Sequence, residues 1–280
     1  MFSPVILDFL KSAALPAAVA SVLLFLVGGM RDPMRARLQA TIWATAFVGG
    51  CMVLVSRLNF PPTDVNEGFS WIAILLALFI WISPVAVGSR YLLRALFVVA
   101  IGLLSLWQIR SSLGGYVHQR NMLAFFFLGL GTWSIVERSS QKVQTLTLMT
   151  LPMISATALS LILLFKGSAV LSQILSVACT LYGGVFAISL VAPAKISKAA
   201  VLPFVSIFLI SFMAIGHFYL DINPWTMIYL CLPFLVLWIR NWIPFVPRQP
   251  IAEAVVLGAV SAIPLGYMVW NIYQTSGPLF

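Results

Sequence analysis

Residues 143–192 read VQTLTLMTLPMISATALSLILLFKGSAVLSQILSVACTLYGGVFAISLVA, and Lys166 is the only charged residue among them. A helix needs about 20 apolar residues to cross roughly 30 Å of hydrocarbon. The stretch therefore predicts two spans, Val143–Phe165 and Ser168–Ala192, joined by a tight turn at Lys166-Gly167. Membrane barrel strands are shorter and alternate in polarity, which these runs do not.

Extending the same reading in both directions predicts eight more spans: Ala13–Gly29, Gln39–Ser56, Ser70–Gly88, Tyr91–Ile109, Asn121–Val136, Ala199–Tyr219, Pro224–Ile243 and Ile251–Tyr273. The expected fold is all-α, a bundle of about ten transmembrane helices with short loops. It forms a single polytopic membrane domain over residues 1–280. Composition agrees: 61% of the residues are hydrophobic and 8% charged, against about 25% charged in a soluble domain. That balance excludes a cytosolic enzyme, a secreted disulfide scaffold and a disordered chain. The first apolar run is followed by basic residues rather than a cleavage site, so it reads as a retained span.

The formal charge of +9 does not point to nucleic acid, because the basic residues recur in small groups between apolar runs. Arg31, Arg35, Arg37, Arg90, Arg94, Arg138, Lys142, Lys195, Lys198, Arg240 and Arg248 fall in one set of alternate connections. Only Lys11, Arg57, Arg110, Arg120 and Lys166 fall in the other. The positive-inside rule assigns the richer set to the cytoplasm and both termini to the outside. Trp71, Trp107, Trp225, Trp270, Tyr219 and Tyr273 fall near outer span ends. Trp43, Trp133, Trp238, Trp242 and Tyr91 fall near inner ends. All are read as headgroup-level anchors.

Cys51, Cys179 and Cys231 lie in apolar runs without C-x-x-C spacing and read as packing residues. No metal or cofactor motif is present, so the expectation is no metal and no cofactor. The partners expected are the lipid bilayer and other membrane subunits. Two features are candidates for function. Pro152, Pro233 and Pro264 interrupt spans; each withholds a donor from a carbonyl one turn earlier, and three freed carbonyls can frame one shared cavity. On the outer side, Asp64 and Glu67 lie three apart and His217 and Asp221 four apart, a set able to bind a cation or substrate. The structural alternative is helix-end chemistry. Asn223-Pro224 is an N-cap followed by proline, and acids suit a helix start. The glycine pair Gly183-Gly184 marks close helix approach in the seventh span.

The stretch Phe60-Pro61-Pro62-Thr63-Asp64, followed by Trp71 and an apolar span, resembles multi-spanning proteins of planctomycete bacteria. The resemblance covers about a fifth of the chain and implies a bacterial inner membrane. In length and span count the chain is also similar to the drug/metabolite transporter superfamily, whose carriers keep both termini in the cytoplasm. Charge bias here puts them outside. Three functions follow in order of expectation: a permease or flippase for a small or lipid-like substrate, a non-catalytic anchor or scaffold subunit, and a lipid-modifying enzyme.

Overall fold

The computed structural model describes residues 10–55, 58–60, 62, 64–82, 94, 96–102, 116–240 and 249–276. Among them nine long helices occur: α1 (Leu10–Val27), α2 (Met34–Val55), α3 (Val65–Ile82), α4 (Tyr116–Ser140), α5 (Thr145–Phe165), α6 (Ala169–Val191), α7 (Lys198–Leu220), α8 (Pro224–Ile239) and α9 (Pro250–Ser276). No described residue forms a strand. Seven of these helices are long and apolar enough to cross a membrane. The other two, α4 and α8, match the expected spans Asn121–Val136 and Pro224–Ile243 but fall short. Polar residues at both ends of α4 dilute its apolar run, and α8 is too short. The span expected over Tyr91–Ile109 lies mostly outside the described residues; residues 96–102 within it are helical. Trp107, Trp242 and Arg248 also lie outside the described residues.

Several helices begin earlier than hydropathy alone suggests. α2 starts at Met34, taking Arg35 and Arg37 into its first turns. α3 starts at Val65, which puts Glu67 in its first turn rather than in a loop. A charged residue is tolerated there because the end of a span reaches the headgroup layer.

Helix α7 is the centre of the bundle and is buried over nearly its whole length. Its regular winding opens into a wide π turn at Phe204–Phe208, directly after Pro203. Proline has no N–H to give to the preceding turn, and a π turn releases a further carbonyl. The Tyr182 hydroxyl of α6 donates to the Phe204 carbonyl at 2.7 Å, and Ser206 Oγ donates to the Leu202 carbonyl at 2.7 Å.

Around this turn aromatic rings fill the middle of the fold. Trp43 lies 4.2 Å from Phe204 and 5.3 Å from Phe208 between ring centroids. Phe47 meets Phe208 edge-on, and Phe69 stacks on Phe212. This corrects the reading of Trp43 as a headgroup anchor, for it is 2% exposed. Trp133 is likewise buried, against Phe79. Trp225 and Trp270 are exposed, as a lipid-facing position requires.

The glycine pair divides. A Cβ on Gly184 would run into Ser21 Oγ of α1, whereas one on Gly183 would meet nothing within 4 Å. Of this pair, only Gly184 sits where α1 and α6 approach closely. Gly184→Ala is expected to lower stability by about 1 kcal/mol, because Ser21 Oγ must turn away from the new methyl and give up its bond to the Ala17 carbonyl, with Gly183→Ala near neutral. Thermal unfolding of the two purified variants checks the difference.

Candidate functional site

Polar interactions collect at the end of the bundle where the basic connections lie. Arg35 at the start of α2 pairs with Asp32 (Nη2 to Oδ2, 2.7 Å) and donates from Nη1 to the Ala194 carbonyl at 2.8 Å, which joins the α1–α2 and α6–α7 connections. Lys198 Nζ donates to the Ser140 and Val143 carbonyls at 2.6 and 2.7 Å, joining the α4–α5 connection to them. Glu137 of α4 forms a two-pronged ion pair with Arg94. Glu253 pairs with Arg240 at 2.5 Å and lies within electrostatic reach of Lys198. Residues from four of the five basic connections expected from the sequence are thus linked by direct contacts at one end, and the Arg240–Glu253 pair closes the fifth on itself.

Gln39 organises this end. It is 2% exposed. Its Nε2 donates to the Lys195 carbonyl at 2.7 Å, and its Oε1 accepts from the Ser197 backbone N–H at 2.8 Å. A primary amide supplies both donors and acceptors, so one side chain fixes both the 3-10 turn Pro193–Lys195 and the N-cap of α7. Lys195 in turn lays its ammonium over the Phe25 ring.

Between these groups lies a cavity of about 720 Å³, lined by Asp32, Pro33, Arg35 and Ala36 on one side, Gln144 and Thr145 on a second, and Pro193 through Ala199 without Lys195 on the third. It faces the starts of α5 and α7. The N-cap residues of both, Gln144 and Ser197, make no side-chain capping bond. From Ala36 to Trp43 along α2, and from Ala199 to Phe204 along α7, the chain climbs roughly 8–10 Å at 1.5 Å per residue. The aromatic cluster therefore begins one to two helical turns beyond the cavity's wall, and none of its rings lines the cavity.

The residues singled out for function are distributed differently. Asp64 is exposed and accepts from the Asn66 backbone N–H and Nδ2, holding the start of α3. Glu67 is buried and accepts from Asn59 Nδ2 at 2.9 Å. His217 contacts the Ile222 carbonyl through Nδ1 and Asn121 of α4 through Nε2; a carbonyl only accepts, so Nδ1 carries the proton and Nε2 accepts. Asp221 is exposed and ends α7 in the left-handed region at φ 49°. Among the described residues no three His, Cys, Asp or Glu side chains gather as a metal group would. The four residues serve helix ends and do not form one centre. Asn223 caps α8 as its sequence position implies, accepting from the Trp225 N–H at 2.9 Å.

The prolines also separate. Pro233 enters the second turn-forming half of α8 after a break at Cys231. The Leu230 carbonyl left free there accepts from Ser155 Oγ at 2.9 Å. Residues that follow Pro152 and Pro264, namely Met153 and Leu265, line an apolar cavity of about 280 Å³ between α5 and α9. Neither proline lines it, and the hydroxyl of Thr157 in its wall is committed to the Met153 carbonyl. A second apolar cavity of about 280 Å³ lies between residues 96–102, α4 and α7, where Ser211 is committed to the Ile207 carbonyl.

The residues that reading by motif missed are Gln39, Thr145, Ser197 and Lys198. The available signal was a polar side chain, Gln39, at the first position of the second span. No family model, curated protein or solved structure matches the chain.

Replacing Gln39 by Leu keeps its bulk but leaves the Ser197 N–H and the Lys195 carbonyl without partners. A loss of about 1–3 kcal/mol is expected, the cost of an unsatisfied buried group. Gln144→Leu, on the cavity rim, is expected to leave stability nearly unchanged. Denaturation of both variants in detergent measures the contrast.

Proposed function

We propose that this chain is a permease or flippase for a small or lipid-like substrate, resident in a bacterial inner membrane. The observation that carries the reading is the cavity of about 720 Å³ open at the basic end, with the packed rings of Trp43, Phe204 and Phe208 farther along α2 and α7. A carrier resting open to one side has this form: a wet vestibule, a dry closure, and a central helix whose winding is irregular. The π turn in α7 carries two of those rings, and such turns recur at functional sites. Counting α4, α8 and the stretch containing residues 96–102 as crossing gives ten spans. On that count both termini lie opposite the basic connections, and the positive-inside rule favours a vestibule on the cytoplasmic side.

A scaffold role is the second reading, and two observations favour it. Ser155 meets the carbonyl freed in α8 without any water or substrate. Helices α1 and α9 are the least buried of the seven long apolar helices after which such a role would be sought, with Leu15, Leu26, Ile251, Ile263 and Tyr267 exposed. Reconstitution separates the two. Vesicles holding the full chain are expected to move fluorescent phospholipids between leaflets, or to take up small solutes, faster than protein-free vesicles. Folded protein that moves neither class would favour the scaffold.

A further inference from the structure

We propose that Glu253 is a proton-binding site, and that the proton it takes up at the basic end is coupled to movement of the carrier's substrate. The inference rests on the carrier reading for what the proton is coupled to, but on separate geometry for the site itself.

Glu253 lies in the first turn of α9, and its side chain is 1% exposed. Ionisable groups buried among membrane spans are costly and usually functional. Its Oε1 accepts from Arg240 Nε at 2.5 Å, while Oε2 is buried without a hydrogen-bond partner among the described residues. The pair of Glu137 and Arg94 makes the contrast. Glu137 gives both oxygens to the guanidinium, although its side chain is 30% exposed. Arginine's planar fork readily makes that two-pronged bond. The pair with less water around its carboxylate is thus the one with an oxygen left bare. A bare carboxylate oxygen away from water is costly, and a proton bound there removes the charge. Glu253 lines neither the basic-end cavity nor the apolar one between α5 and α9, and a proton is the ligand that needs no space. Two turns on, and so on the same side of α9, Ser261 Oγ is also fully buried without a partner. A hydroxyl both donates and accepts, as passing a proton deeper requires.

The charged groups around Glu253 are Arg240, at the end of α8, and Lys198, at the start of α7. Helix α5, packed along α9, has no titratable side chain from Thr145 to Phe165. Helix α8 has Tyr229 and Cys231, both more than two turns from Arg240, and Tyr267 and Tyr273 lie farther still along α9 itself. Arg138 and Lys142 of the α4–α5 connection are exposed.

Burial favours the neutral form of any carboxyl, and neighbouring cations favour the charged form. Arg240 and Lys198 therefore set the balance. Whatever draws either away strengthens proton binding, and by linkage proton binding releases both. Arg240 can part from a neutral acid at little cost, because its side chain is 21% exposed and a long stem carries the head to water. Lys198 lines the basic-end cavity, so a substrate that engages its ammonium and a proton on Glu253 each favour the other. In the step itself one O–H bond forms at Oε2, water or a buffer acid gives up the proton, and Arg240 and Lys198 keep their charges.

The test uses the full chain in detergent and follows the infrared carbonyl stretch of protonated carboxyl groups as pH is lowered. Glu253→Gln keeps the shape of the neutral acid but binds no proton there. Arg240→Gln keeps the acid and removes its partner. The natural chain is expected to show a band that Glu253→Gln lacks. In Arg240→Gln that band is expected to appear about one pH unit or more higher, the usual effect of losing a paired charge. If Glu253→Gln fails to fold, an unmoved band in Arg240→Gln overturns the site. In vesicles under an imposed pH gradient, the natural chain is expected to move fluorescent phospholipids or small solutes at a rate that changes several-fold with the gradient, and Glu253→Gln at a rate that ignores it.

Identical spectra from the natural chain and Glu253→Gln overturn the site, and movement across vesicles in that case would leave the carrier reading standing. The band without movement of either probe would keep the proton site and remove the carrier reading, and the coupling with it. The band together with movement indifferent to the gradient overturns the coupling.

Discussion

The hydroxyl of Tyr182 on the Phe204 carbonyl, 2.7 Å away, answers the constraint on which the rest of the fold depends. Backbone polar groups inside a hydrocarbon layer have no water to turn to, so each must be satisfied by the protein. Regular helices do this unaided. Helix α7 opens at Phe204–Phe208 and α8 breaks at Cys231, and each needs a donor from a neighbour. Tyr182 of α6 serves the first and Ser155 of α5 the second. These hydroxyls bring α5 and α6 against the irregular parts of α7 and α8, and the aromatic rings of α2 and α3 fill the space that the widened turn creates.

This arrangement separates the molecule into a dry middle and a polar end. Thr150, Ser189, Ser206 and Ser211 commit their hydroxyls to carbonyls one turn back on their own helices, whereas Ser261 Oγ is buried without a partner among the described residues. Packing there is set by ring contacts and by the close approach at Gly184. At the basic end, ion pairs and Gln39 brace the connections instead, and an open cavity lies among them.

Sequence carried the large-scale plan well. Apolar runs located the long helices, and the alternation of basic groups identified connections that the structure links at one end. These signals are legible because lipid and headgroup act on residues one at a time. Features set by helix facing were not legible. Trp43 is an interfacial residue by position but points into the core. Gly183 and Gly184 are alike in sequence, yet only one meets α1. Glu67 and Glu253 sit at helix ends but are buried with partners. Pro203, rather than the three prolines deepest in apolar runs, precedes the wide turn. Which side of a helix faces a neighbour depends on the packing of the whole bundle, and local periodicity was weak in spans that are apolar all round.

The carrier reading turns on a cavity open at the basic end alone, with packed aromatic rings farther into the bundle. Single cysteines placed along α7 in a background lacking Cys51, Cys179 and Cys231, probed with a charged, membrane-impermeant thiol reagent from each side, test it most directly. Position 199 is expected to react from the side bearing the basic connections only, and positions 204, 206, 208 and 211 from neither. Reaction at 206 or 211 would contradict the account, since it would require water to pass the packed rings, and reaction at 199 from the opposite side would reverse the cavity's direction.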